Sequence, residues 1–349
     1  MDKKKYIEYL NETSCMVMPI IRASVEKAVF GVPELEKHLF LLFEHREDKQ
    51  LLKPTLFRLA YELCGGKEFE RYLPFAAACE MLNISSYQAN SSFDNKLGVL
   101  SNEDKDGQVM AAMITRELAA RLVYQISDGF IGEKKLRELA ECISTSNLFI
   151  YKAQHYDLNV LSFSNRRMFE HYIQDRELYL RDYHKRCYFG SGIFSGQVAL
   201  AGAIAADADN AHRDALTKFG EIYGTALHKI NDLGDFLPGE ERHGRIYQDF
   251  FCDIRNGRLT LPVYELYTKH YNVYLDIISS LNGENPNYEE VHSLFKRLNI
   301  VDIVKKDAKG SFYAAKRCLK DIPFPEKKGG LFSMLSILKS NKYYHRSEK

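Results

Sequence analysis

The sequence predicts an all-α protein, and three observations predict it. Apolar residues recur at helical spacing along most of the chain. Sustained alternation of β-branched residues is absent, and the Asn256-Gly257 and Asn282-Gly283 pairs stand between helical stretches rather than inside hairpins. Breakers fall where helix connections belong, at Gly31 with Pro33, Gly65-Gly66, Gly129 with Gly132, Pro238-Gly239, Asn285-Pro286 and Pro323 with Pro325.

Taken in order, these signals predict helices over 4–28, 33–45, 54–64, 68–89, 106–127, 133–158, 166–205, 208–236, 260–281, 287–298 and 300–320. No internal repeat or low-complexity tract interrupts them, and no linker precedes residue 323. Residues 1–325 are therefore expected to form one all-α domain. Residues 326–349 form a basic C-terminal tail carrying Leu331, Phe332, Met334, Leu335, Ile337 and Leu338. That spacing predicts a short amphipathic helix that packs back on the domain, with a partner or a membrane surface as the less favoured alternatives.

Composition removes several function classes. The 349 residues carry 48 basic and 47 acidic side chains, a net charge of +1, which gives no reason to expect a nucleic-acid partner. Seven scattered cysteines without a CxxC pair predict reduced thiols rather than disulfides or a zinc site. No apolar stretch follows the charged start, and no apolar run approaches the roughly 20 residues of a membrane span. A soluble, cytoplasmic protein is expected. The sequence contains no HExxH, no GxSxG and no phosphate loop.

The chemistry concentrates between residues 219 and 262. On a helix, Asn231, Asp232 and Asp235 share one face, and three oxygen donors there suit a hard cation such as Mg²⁺. Such a cluster also suits a solvated helix end. Arg245, and Arg258 on a glycine-bearing turn, follow within a short distance. A metal-bound diphosphate needs such cations as its leaving group gathers charge.

This ordered set resembles the second aspartate-rich region of the trans-polyprenyl diphosphate synthase family. The matching pieces are Gly224, Leu227-His228, Asn231-Asp232-x-x-Asp235, Gly244-Arg245 and Asp253-x-x-x-Gly257-Arg258-x-Thr260-Leu261-Pro262. Further matches are Lys53-Pro54-x-Leu56, Gly65-Gly66, Ala76-Ala77-Ala78-Cys79-Glu80 and Gln154-His155-Tyr156-Asp157-Leu158. The resemblance covers about residues 30–320. It implies the isoprenoid synthase fold, in which helices surround a deep apolar cavity with two acidic clusters at its mouth. It also implies Mg²⁺, an allylic prenyl diphosphate substrate and a homodimer or a heterodimer with a related synthase. Asp232, Asp235 and Gln154 take catalytic roles by the resemblance. Arg245, Arg258 and Lys53 take diphosphate-binding roles. Asn231, Asp232, Asp235, Asn90 and Asp94 are the implied metal ligands.

The pattern breaks in one functional group. The first aspartate-rich motif aligns with Asn90-Ser91-Ser92-Phe93-Asp94, where one carboxylate survives. The basic G-K-R-x-R-P stretch becomes Gln50-Leu51-Leu52-Lys53-Pro54, and the K-T pair becomes Gly190-Ser191. The paired arginines after the first motif are replaced by Asn95-Lys96-Leu97-Gly98. By the resemblance these positions hold isopentenyl diphosphate or help bind the allylic one, so ordinary elongation is not expected. Ser85 and Ser86, one turn before Asn90, are small and would leave the cavity deep; they serve helix packing equally well. Two readings follow. One is an atypical prenyltransferase or terpene-synthase-like enzyme acting by Mg²⁺-assisted diphosphate departure. The other is a silent or regulatory subunit, or a prenyl-diphosphate binder, that pairs with an active synthase.

Overall fold

The fold is described from a computed structural model, which covers residues 2–32, 34–40, 51–93, 105–126, 131–234, 236, 251–281, 288–320, 322–326 and 328–340. Those residues are helical almost throughout, as predicted. Among them the sole β interaction is an isolated antiparallel bridge between Ser162 and Arg258.

Helix α1 (Lys3–Val29) starts where the Asp2 carboxylate accepts the Lys5 amide at 2.9 Å, an N-cap that satisfies an otherwise orphaned donor. Helices α2 (Leu52–Leu63), α3 (Leu73–Phe93), α4 (Lys105–Val123) and α5 (Glu133–His155) follow. The stretch predicted as one helix over 166–205 is divided. Helix α6 (Arg166–Gln174) ends at Asp175, whose backbone is extended and whose carboxylate caps the Leu178 amide of α7 (Arg176–Cys187). A local side-chain bond at Asp175 thus outcompetes helix propagation. Helix α8 (Ile193–Ala205) continues α7 through a π turn over Tyr188–Gly192, and a second π turn over Tyr156–Val160 closes α5. Helix α9 (Asn210–Gly234) carries the acidic motif, and α10 (Cys252–Arg255) introduces the basic turn. The predicted helix over 260–281 is two helices, α11 (Leu261–Lys269) and α12 (Tyr271–Leu281), separated at His270. Thr260 precedes α11 and Pro262 lies in its first turn, where a missing amide costs nothing. Helices α13 (Tyr288–Arg297), α14 (Ile300–Cys318) and α15 (Gly329–Ser340) complete the chain.

Two apolar clusters hold these helices. The larger joins α1, α2, α3, α8 and α9, with Val17, Phe57, Phe75, Val198 and Phe219 fully or nearly fully buried. Helix α8 is apolar on all sides, as a helix at the centre of a bundle must be. The continuous run Arg176–Ala205 has the length and composition of a membrane span, which the sequence reading did not anticipate, but most of it is buried inside the bundle. The smaller cluster joins the ends of α7 and α9 to α11 and α14, with Tyr179 stacked on Tyr264 at 3.6 Å and Phe236 stacked on Phe295 at 4.6 Å. The tail helix α15 contributes Leu331, Met334 and Leu335 to the larger cluster, so this part of the tail packs back. All seven cysteines are free thiols.

Candidate functional site

The acidic end of α9 meets α7 and the π turn that closes α5. Asp232 is buried there, and its surroundings come from three segments. Arg186 on α7 donates through Nη1 to Asp232 Oδ2 at 2.8 Å and through Nη2 to Oδ1 at 3.2 Å. Tyr183, one turn earlier, donates its hydroxyl to Oδ2 at 2.7 Å. The Arg186 Nε turns the other way and donates to the Asp157 carboxylate, which sits on the π turn. Arg186 is itself buried, at 6% exposure. One guanidinium therefore bridges two carboxylates, the bidentate geometry for which arginine is suited. Burial pushes the Asp232 carboxyl upward, and Arg186 together with the hydrogen bonds more than reverses this, holding it below the usual carboxylate range. Burial alone would lower the Arg186 pKa, and Asp157 and Asp232 raise it well above the ordinary value.

Arg258 completes the cluster. Gly257 adopts φ +63°, a left-handed turn that closes α10 and that glycine adopts without strain. The turn is pinned to the segment after the π turn by Phe163 N to Gly257 O at 2.9 Å and Leu259 N to Leu161 O at 2.8 Å. This brings Arg258 Nη1 to the Asp157 carbonyl at 3.3 Å. The family-like D-x-x-x-G-R turn and the Gln154-to-Leu158 segment are thus neighbours in space.

The other predicted site residues fall in different places. Asn231 is exposed on α9, and Asn90 and Gln154 are partly buried. Asp94, Asp235 and Arg245 lie outside the described residues. Ser85 is fully buried and donates to the Ala112 carbonyl at 2.9 Å, and Ser86 donates to the Asn83 carbonyl at 2.6 Å. Ser85 thus ties α3 to α4, whereas the Ser86 bond stays within α3. Lys53 is buried on α2 and donates to Ser195 Oγ at 2.5 Å and more weakly to Ser191 Oγ at 3.4 Å, with its ammonium 4.7 Å from the Phe194 ring. Burial brings its pKa down to about 8, partly offset by Glu80. Lys229, next to the motif, is held by Asp307 at 2.5 Å, and His155 is exposed beside Asn159.

Arg186 and Tyr183 are the site residues that sequence reading missed. They sit in the ordinary charged run Arg176–Cys187, and nothing in that run marks one arginine among three as different. Asp157 was legible as part of the Gln154 segment.

His228 stands one turn before Asp232, and its Cε1 lies only 2.7 Å from where a side chain on Gly190 would begin. Burial, and next the nearby Arg186 charge, lower its pKa to about 4. The folded state therefore holds the ring neutral where the unfolded chain protonates it. This contribution is intact above about pH 6.5 and is lost as pH falls toward 4. The ring keeps some contact with solvent, so we expect about 2 kcal/mol rather than the ~3 that the full displacement carries. Urea unfolding at pH 7.0 and 4.5 should show the wild type losing that much more stability than His228→Gln. Equal losses would refute it.

The expected Mg²⁺ can be tested against this geometry. Mg²⁺ needs ligand oxygens at about 2.1 Å in near-octahedral order. Both oxygens of Asp232 are instead engaged by a guanidinium and a phenol. Among the described residues no three His, Cys, Asp or Glu side chains form a metal-holding group. As folded, Asp232 does not fit the role of metal ligand.

The architecture is shared with solved enzymes. The polyprenyl synthase of Caulobacter crescentus, solved with calcium and isoprenyl diphosphate, superposes with a TM-score of 0.74 at 18% identity over 98% of both chains. The decaprenyl diphosphate synthase of Rhodobacter capsulatus gives 0.72 at 17% identity over the whole of both chains. The geranylgeranyl pyrophosphate synthetase of Pyrococcus horikoshii gives 0.73 at 16% identity over 97% of this chain and 99% of that one. In sequence, the short chain isoprenyl diphosphate synthase of Methanocaldococcus jannaschii is 23% identical over 244 residues, 69% of each chain. The chain is thus similar in sequence to one isoprenyl diphosphate synthase and in architecture to several polyprenyl synthases. Its all-α architecture is the isoprenoid synthase fold of these polyprenyl synthases. No family model matches the chain.

Proposed function

We propose that this protein has an atypical prenyltransferase function: it takes an allylic prenyl diphosphate but not isopentenyl diphosphate. In this reading the prenyl chain occupies the space among the apolar helices and Arg258 binds the diphosphate, a role that the family resemblance also gives to Arg245. The likeness to polyprenyl and isoprenyl diphosphate synthases supports the general class. The observation that carries the specific reading is Lys53. It is the last cation left in the stretch that resembles the isopentenyl diphosphate site, and it is buried against the Ser191 and Ser195 hydroxyls. In the reaction the allylic C–O bond breaks and the diphosphate leaves with the electron pair. An acceptor nucleophile then captures the carbon and gives up its proton, or the cation cyclises and loses a proton to give a neutral alkene. Buried cations at the mouth stabilise the departing charge. A cytoplasmic location and a dimeric state belong to this proposal.

The test is pyrophosphate release from allylic diphosphates of graded length, with Mg²⁺ present, and with or without isopentenyl diphosphate. Release that is independent of isopentenyl diphosphate, and at least ~100-fold weaker in Arg258→Ala, is expected. Release only in its presence would refute the reading and indicate elongation.

The ion pair between Arg186 and Asp232 favours a second reading, a silent partner that sets the behaviour of an active synthase. Such a protein would release no pyrophosphate alone, yet it would co-purify with an active synthase and change its product length.

A further inference from the structure

We propose that Arg186 is a built-in cation that takes a metal ion's place at the acidic end of α9, so that Asp232 anchors an arginine instead of ligating a divalent ion. Three features carry this. First, both carboxylate oxygens are engaged: the guanidinium addresses both oxygens of Asp232, at 2.8 and 3.2 Å, while Tyr183 adds a third donor at 2.7 Å. A carboxylate offers about four lone-pair sites, and three are used here. Second, the same guanidinium reaches Asp157 through Nε, so it spans two acidic side chains from different segments, the task a bridging metal would perform.

Third, among the described residues the local charge is balanced without a metal. Asp157 and Asp232 face Arg186 directly, and Arg258 donates to the Asp157 backbone carbonyl, giving two acids and two arginines. His228 adds no charge at neutral pH, because burial keeps its ring neutral. Lys229 is committed to Asp307. A dication entering this buried, balanced cluster would meet like charge from two guanidiniums and would have to displace the donors already bound to Asp232.

This inference concerns the site on which the proposed function rests, but it is carried by ion-pair geometry and does not depend on that reaction. Its test uses metal without any prenyl diphosphate, so failure here and failure of the proposed reaction are distinguishable. Mn²⁺ binding to the full-length wild-type chain, Asp232→Asn and Arg186→Gln would be titrated by electron paramagnetic resonance. In the wild type, Mn²⁺ binding should be absent or should change less than twofold in Asp232→Asn. Arg186→Gln should bind Mn²⁺ at least tenfold more tightly, and adding Asp232→Asn to it should abolish the gain. Wild-type binding that is lost in Asp232→Asn would overturn the proposal, because it would show Asp232 released to a metal. Should Arg186→Gln fail to fold, the comparison of wild type with Asp232→Asn decides alone, since asparagine keeps the shape and one acceptor for Arg186.

Discussion

Replacing Arg186 with Met should cost about 3–5 kcal/mol of stability, the largest loss expected from any single change at this site. The substitution keeps an unbranched, buried side chain but leaves Asp157 and Asp232 without their shared counter-ion. Both carboxylates then lose the cation that offsets most of their desolvation, and the Tyr183 hydroxyl on Asp232 is a neutral donor that replaces little of it. The loss reflects stranded charge rather than the net worth of the ion pair. Adding Asp232→Asn to Arg186→Met should therefore recover part of it. Urea denaturation of the two variants measures both quantities, and a cost under about 1 kcal/mol for Arg186→Met would refute the account. The same pair predicts an acid response. Arg186 holds the Asp232 carboxyl below its ordinary range. Its stabilising contribution is therefore present above about pH 4 and is lost as pH falls below that. That window lies under the one assigned to His228, so a pH series separates them.

Gly224→Ala should be the second large effect, at about 3 kcal/mol. A methyl group at Gly224 would overlap the Ser191 carbonyl oxygen and crowd Ser195 Oγ. Ser191 belongs to the π turn that joins α7 to α8, so the obstacle is backbone rather than a side chain that can swing aside. Relief would require α9 to move away from α7, and that movement would also lengthen the contacts between Asp232 and Arg186. Overpacking of a rigid contact lies at the upper end of the usual range. Thermal or urea unfolding measures the loss. A change below about 0.5 kcal/mol would show that α9 has room the packing does not reveal.

Much of the fold was legible in the sequence because helices announce themselves locally. Apolar periodicity, caps such as Asp2, and breakers such as Gly65-Gly66 act within one or two turns. The structure departs from the periodicity where a local competitor acts against helix propagation. Asp175 ended a helix by capping the next one, and the chain broke again at His270. The two π turns were invisible, since a single extra residue in a turn leaves no mark on the periodicity.

The candidate site divides along the same line. By itself the sequence determined the ordered acidic and basic motif, the loss of carboxylates around Asn90 and Asp94, and the resemblance that led to the fold. It did so because motif order and residue type are properties of the chain. Only the tertiary structure decided what the surviving groups do. Lys53 turned to two serines on another helix, and Asp232 met Arg186, which is 46 residues away along the chain. A charge is defined by its partner and its dielectric surroundings, and both are set by packing between segments that sequence spacing does not relate.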